Sequence, residues 1–123
     1  MSKKILIIDE AGFSRVCSAI FEIEGLKAEV VDASAPSGAF EWDGFDLVIT
    51  SYPYGTSLFT ELRKRRGPTM VLSDHFNENL LEALDSFEKV HCMIKPIDYQ
   101  RFIALVKSVV NGDASIPGGL RIV

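Results

Sequence analysis

Lys4-Ile5-Leu6-Ile7-Ile8-Asp9-Glu10 is an unbroken apolar run that ends in two acids. Its length fits a strand. Its lack of alternation fits a strand covered on both faces, as in a parallel sheet flanked by helices. The pattern recurs down the chain. Asp46-Leu47-Val48-Ile49-Thr50 runs into Ser51, Met70-Val71-Leu72 into Ser73, and Cys92-Met93-Ile94 into Lys95-Pro96. Each run is short, apolar and closed by a polar residue.

Segments of helical period separate the runs. Phe13, Val16, Ile20 and Ile23 predict one apolar face of a helix over 13–24, stopped by Gly25 at the C′ position. Residues 28–31 read as a second strand. Residues 33–44 are weak, because Pro36, Gly38 and Gly44 leave room for little more than one helical turn. Leu58, Phe59 and Leu62 predict a helix over 56–66, closed by Gly67-Pro68. Leu80, Leu81, Leu84 and Phe87 predict the next helix, over 77–87, with Asn77 or Asp74 as its N-cap. Phe102, Leu105, Val106 and Val109 stripe the last, over 98–110, which Asn111-Gly112 ends. Strands at 46–50, 69–72 and 90–94 complete the series. We expect one domain over 1–111 and a tail over 112–123, which is either a linker remnant or a segment folded back on the sheet.

Five strands alternating with helices predict an α/β, doubly wound parallel sheet with helices on both faces. Right-handed crossovers and a single chain reversal give the strand order 2-1-3-4-5 of the flavodoxin-like folds. Ligand sites in such sheets lie beyond the carboxyl ends of the strands, near the switch point. Asp9, Glu10, Ser51, Ser73 and Lys95 all fall at such ends.

The bulk composition excludes several classes. At 123 residues and 47% hydrophobic, the chain can build a core without disulfides. A net charge of -4 argues against a nucleic-acid surface. No apolar stretch approaches the roughly 20 residues that span a bilayer. Met1-Ser2-Lys3-Lys4 leads straight into the first strand with no small-residue cleavage site, so we expect a cytoplasmic chain. Cys17 and Cys92 lack zinc or redox spacing and read as buried thiols. His75 and His91 lack ligand spacing and read as structural or surface residues. Arg63-Lys64-Arg65-Arg66 reads as a solvated helix end, where cations suit the dipole. There is no nucleophile–base pair, zinc motif or Gly-rich phosphate loop, so no enzyme is expected.

Ile5-Leu6-Ile7-Ile8-Asp9-Glu10, Glu24-Gly25-Leu26-Lys27-Ala28-Glu29-Val30, Asp46-Leu47-Val48-Ile49, Pro68-Thr69-Met70-Val71-Leu72-Ser73 and Lys95-Pro96-Ile97-Asp98 occur in that order. Together they resemble a response-regulator receiver (CheY-like) domain over 3–111. The resemblance implies that Asp9 and Glu10 match the family's Mg²⁺-holding acidic pair. It implies that Ser73 matches the hydroxyl that meets the phosphoryl group, and Lys95 the lysine that contacts its oxygens. It also implies a cis Lys95-Pro96 bond. The acceptor aspartate is missing, and Ser51 stands in its place. A serine hydroxyl has neither the charge nor the nucleophilicity of that carboxylate. With the third carboxylate gone, Mg²⁺ at Asp9 and Glu10 is expected to be weak at most, and no other cofactor is implied.

The departures from the family continue around the site. Only Tyr52, Pro53 and Tyr54 separate Ser51 from Gly55, a shorter loop than the family carries. Asp74 follows Ser73 where a small residue is usual, and Cys92 occupies the aromatic switch position. With no phosphoryl group to meet, Lys95 is expected to pair with Asp9 or Glu10. The resemblance therefore implies a pseudo-receiver of a two-component or phosphorelay system, acting by protein–protein contact without phosphorylation. Its implied partners are a kinase, an effector or another receiver. The family's output face maps to 77–87, 90–94 and 98–110, giving an expected homodimer surface within 77–110. The alternative is a small-anion or small-ligand sensor. In that reading Gly55-Thr56-Ser57 opens a helix with free N–H groups and two hydroxyls. Trp42, Tyr52, Pro53 and Tyr54 either expose an aromatic surface to a partner or fill the space left by the short loop.

Overall fold

The computed structural model of the chain describes residues 4–32, 41–87, 89–112 and 119–122, the last by backbone alone. Strands β1 (Lys4–Ile8), β2 (Lys27–Val30), β3 (Leu47–Tyr52), β4 (Thr69–Ser73) and β5 (Lys89–Ile94) form a parallel sheet in the order β2-β1-β3-β4-β5. This is the expected flavodoxin-like winding. The tail adds to it. β6 (Gly119–Ile122) pairs in parallel with β5 and becomes the far edge of a six-stranded sheet. Residues 119–122 return to the sheet, while residues 113–118 and 123 lie outside the described residues.

The apolar runs are buried on both faces, as their lack of alternation requires. On one face Ile5, Ile7, Leu47, Ile49, Met70 and Leu72 pack against helices α1 (Ala11–Ile23) and α4 (Tyr99–Val110). On the other, Leu6, Ile8, Val48, Val71 and Cys92 pack against α2 (Phe59–Lys64) and α3 (Glu78–Leu84). A short 3₁₀ turn, Thr56–Leu58, leads into α2, and another, Trp42–Gly44, precedes β3. Asn77 caps α3 by accepting from Leu80 N, and Asp98 caps α4 by accepting from Gln100 N and Arg101 N. The expectation for residues 33–40 lies outside the described residues.

Two expectations fail in the packing. The buried face of α1 is Ser14, Cys17 and Phe21, whereas Val16 and Ile23 are exposed. Two apolar stripes lie side by side on this helix. A serine disguised the one that faces the sheet, because its hydroxyl can enter the core by donating to Asp9 O at 3.1 Å. The basic run 63–66 is also not a uniformly solvated end. Arg65 is 3% exposed, and its guanidinium donates to the carbonyls of Trp42, Phe45 and Pro68 at 2.9–3.2 Å. Burial pushes its pKa down from the ordinary arginine value, against the charges of Asp43 and Asp46. Arg63 Nη2 donates to Ala83 O at 2.7 Å, and its guanidinium lies over the Phe87 ring. These arginines tie loops together at the ends of β3, β4 and α3, a use that the clustering of like charges conceals.

Candidate functional site

β1, β3, β4 and β5 bring their carboxyl ends to one rim, as the parallel topology requires. β3 runs two residues further than expected, so Ser51 sits within the strand, paired in register with Leu72. Parallel neighbours place Thr50 beside Ile8 and hence Ser51 beside Asp9. The Ser51 hydroxyl donates to Asp9 Oδ1 at 2.9 Å. Both residues are buried, Asp9 at 3% and Ser51 at 4% exposure, so this bond is shielded from solvent. Asp9 Oδ1 also accepts from Glu10 N at 2.8 Å, while Asp9 Oδ2 is buried and accepts no hydrogen bond among the described residues. Thr50 Oγ1 donates to Ile8 O at 2.8 Å and cross-links the same two strands.

The other rim residues turn away from this pair. Glu10 is exposed at the start of α1. Ser73 is 3% exposed, and its hydroxyl is spent on a local turn: it donates to His75 O at 2.8 Å and accepts from His75 N at 3.3 Å. Lys95 forms no ion pair with Asp9 or Glu10, contrary to expectation. Its ammonium lies 5.3 Å from the centroid of the Phe13 ring, whose face attracts a cation. The ion pairs among the described residues are Lys64–Glu61 and Lys107–Glu24. The Lys95-Pro96 bond is cis, and so is Tyr52-Pro53. Cys92 is fully buried on the α2 and α3 side of the sheet, and burial pushes its thiol up to about 11. Cys17, beneath the rim, is pushed up to about 12, first by burial and then by the Asp9 charge, with Lys95 opposing. Neither thiol is a nucleophile in this state.

The short loop closes onto the strand it leaves. Gly55 N donates to Ser51 O at 2.8 Å. A Cβ on Gly55 would lie 2.0 Å from Thr50 Oγ1, so the close approach needs glycine. Thr56 N and Thr56 Oγ1 both donate to Pro53 O, at 3.1 and 2.6 Å. The helix opening expected to offer Gly55, Thr56 and Ser57 to an anion is therefore turned in on its own loop at Gly55 and Thr56. Tyr52 and Tyr54 are half-buried against the α2 and α3 core, with the Tyr52 and Phe59 rings 6.3 Å apart. They fill space beside the short loop.

Mg²⁺ demands near-octahedral oxygen ligation. Asp9 offers a buried oxygen, but Glu10 is exposed and Ser51 supplies a neutral hydroxyl where a third carboxylate would stand. Among the described residues no group of three His, Cys, Asp or Glu is placed to share a metal ion. The residues present do not fit the ion that the resemblance implies.

No protein-family model and no curated protein matches the sequence. Solved structures do match the fold. A response regulator receiver domain protein (CheY-like) from Methanospirillum hungatei is 21% identical with a TM-score of 0.75, over 94% of this chain and 98% of that one. A two-component response regulator from Clostridium difficile is 20% identical with a TM-score of 0.72, over 90% and 98%. NtrX from Brucella abortus is 23% identical with a TM-score of 0.73, over 90% of this chain and 26% of its own. The chain has the receiver, or CheY-like, fold.

Proposed function

We propose that the chain is a pseudo-receiver of a two-component or phosphorelay signalling system, working by protein–protein contact and not by aspartyl phosphorylation. The observation that carries this reading is the 2.9 Å bond from Ser51 Oγ to Asp9 Oδ1. An acceptor at this position must present a charged, accessible carboxylate to an incoming phosphoryl group. Ser51 is neutral, 4% exposed, and already bonded to the neighbouring acid. The chemistry that remains is that of surfaces. Its partners are another signalling protein, a kinase, an effector or a further receiver, and the contact surface is the face made by α3, β5 and α4. No enzymatic step is assigned, and no helix among the described residues is long and apolar enough to cross a membrane.

Incubation with acetyl phosphate and Mg²⁺, followed by intact-mass measurement, tests the reading. We expect no adduct, and no change of melting temperature with beryllofluoride. A stoichiometric phosphoryl adduct released by hydroxylamine, the mark of an acyl phosphate, would overturn it.

A further inference from the structure

The sequence predicts an apolar helix face at Phe13, Val16, Ile20 and Ile23, and the structure leaves two of these uncovered, Val16 at 45% and Ile23 at 83% exposure. α1 meets the sheet through Ser14, Cys17 and Phe21. Gly12, Val16, Ala19 and Ile23, all exposed, line the side of the helix turned away from it. Their spacing of four, three and four residues is that of a seam between two helices, where apolar positions recur about every 3.5 residues. Nothing in the fold requires glycine at the first of them. A Cβ on Gly12 would meet nothing within 4 Å, and its φ is not positive. Glycine weakens a helix relative to alanine, and what it supplies on an exposed face is room for another backbone to approach.

The order of sizes along the seam selects what covers it. It reads small, large, small, large from Gly12 to Ile23 and the opposite in reverse, so the seam complements itself when a second α1 lies antiparallel. Ile23 then seats over Gly12 of the second copy, and Val16 over its Ala19. A parallel copy would set glycine on glycine and isoleucine on isoleucine, with a gap beside each crowded layer. The charges make the same choice. Arg15 and Glu22 flank the seam on one side, both exposed, and neither forms an ion pair among the described residues. A two-fold axis makes this flank meet itself, so Arg15 of each copy faces Glu22 of the other, and the N-terminal lean of helical side chains brings the two together. We propose that the outer face of α1 is a self-association surface, occupied by α1 of a second copy of this chain, antiparallel about a two-fold axis. It is separate from the α3–β5–α4 face proposed above and does not rest on that reading. The seam is about 17 Å long at ~1.5 Å per residue, a small contact, so the dimer is reversible.

The test is charge reversal in the full chain, at exposed residues whose replacement leaves the fold intact. Arg15→Glu sets acid against acid twice across the two-fold axis, and Glu22→Arg sets base against base twice. In sedimentation velocity the parent should dimerise reversibly at sub-millimolar concentration, and each variant alone should bind itself at least about tenfold more weakly. An equimolar mixture of the two variants should associate as the parent does, because every acid then meets a base. Gly12→Leu should abolish association with no loss of melting temperature, since the new side chain meets open space in the monomer and Ile23 of the second copy in the dimer. A parent that stays monomeric at millimolar concentration overturns the proposal. So does a charge variant that dimerises as the parent does, or a mixture that stays apart. Dimerisation untouched by Gly12→Leu is equally fatal, because another surface would then hold the copies together. The phosphodonor experiment judges the pseudo-receiver reading independently of all these outcomes.

Discussion

Ser51→Asp places a carboxylate at the end of β3, and it exchanges a hydrogen-bond donor for an acceptor. In the native chain Ser51 Oγ donates to Asp9 Oδ1 at 2.9 Å with both residues buried. The substitution deletes that bond, which to a charged acceptor contributes about 1.5–3 kcal/mol. It also brings two carboxylates together, a repulsion on the order of 4 kcal/mol for charges about 4 Å apart in an effective dielectric of about 20. Proton uptake by the pair limits the sum, so we expect a net loss of about 3 kcal/mol at neutral pH without divalent cations. Mg²⁺ should then do for the variant what it cannot do for the parent. Three oxygens from neighbouring strand ends make a cation site, and a ligand at about 100 times its dissociation constant stabilises by about 2.7 kcal/mol. Denaturant melts of both proteins, with and without millimolar Mg²⁺, measure these quantities. Recovery of most of the loss in the variant alone is the expected result. A variant as stable as the parent without Mg²⁺, or equal Mg²⁺ shifts in both, would refute the reasoning.

Three further outcomes follow from the packing. Arg65→Met should cost about 3–4 kcal/mol, because it strips charged donors from three carbonyls in a site 3% exposed to solvent; Arg65→Lys should recover less than half of this in urea melts, since an ammonium cannot reproduce the planar fork. Gly55→Ala should cost about 1–3 kcal/mol through its clash with Thr50 Oγ1, with Thr50→Ala in the same chain returning part of it, and an undiminished melting temperature for the single variant would sink that account. Lys95→Met should cost only about 0.5–1 kcal/mol, the lower end of the scale for a cation over an aromatic ring, here the half-buried ring of Phe13. Its effect should add to that of Asp9→Asn, and a coupling above about 0.5 kcal/mol in a double-variant cycle would mean that the two charges meet after all.

The fold was legible because it depends on pattern. Strand runs such as residues 5–8 are apolar without alternation, and only a sheet covered on both sides accommodates that. Sheet order followed from handedness rules that hold for nearly every parallel crossover. The site was legible as a set of positions, because strand ends in a parallel sheet converge whatever residues occupy them. Side-chain direction was not legible. Opposite charges at adjacent strand ends suggested a Lys95–Asp9 pair, yet Phe13 lies within reach of the ammonium, and Ser51 and the Glu10 amide already serve the Asp9 carboxylate. Arg65 was hidden by its basic neighbours, and composition could not reveal that three loop carbonyls converge on it. The sequence leaves residues 112–123 open between a linker and a segment folded back on the sheet, because Gly119-Leu120-Arg121-Ile122 is short and follows Pro117-Gly118, a sequence as suited to one as to the other.

A phosphoryl site needs polar groups that are held in place yet free to meet an arriving anion, since a donor already satisfied by the protein must lose one bond to gain another. Around this rim four hydroxyls are committed in the resting fold. Thr50 donates to Ile8, Ser51 to Asp9, Thr56 to Pro53 and Ser73 to His75. The amides of Gly55 and Thr56 are likewise closed on their own loop. Lys95 is drawn onto an aromatic ring. An anion entering here would have to break these bonds beside a buried carboxylate that repels it. In the pseudo-receiver reading, the commitments that would keep phosphate out also fasten β1 to β3 and the loop to the strand it leaves. On that reading, residues spared from chemistry hold the scaffold rigid.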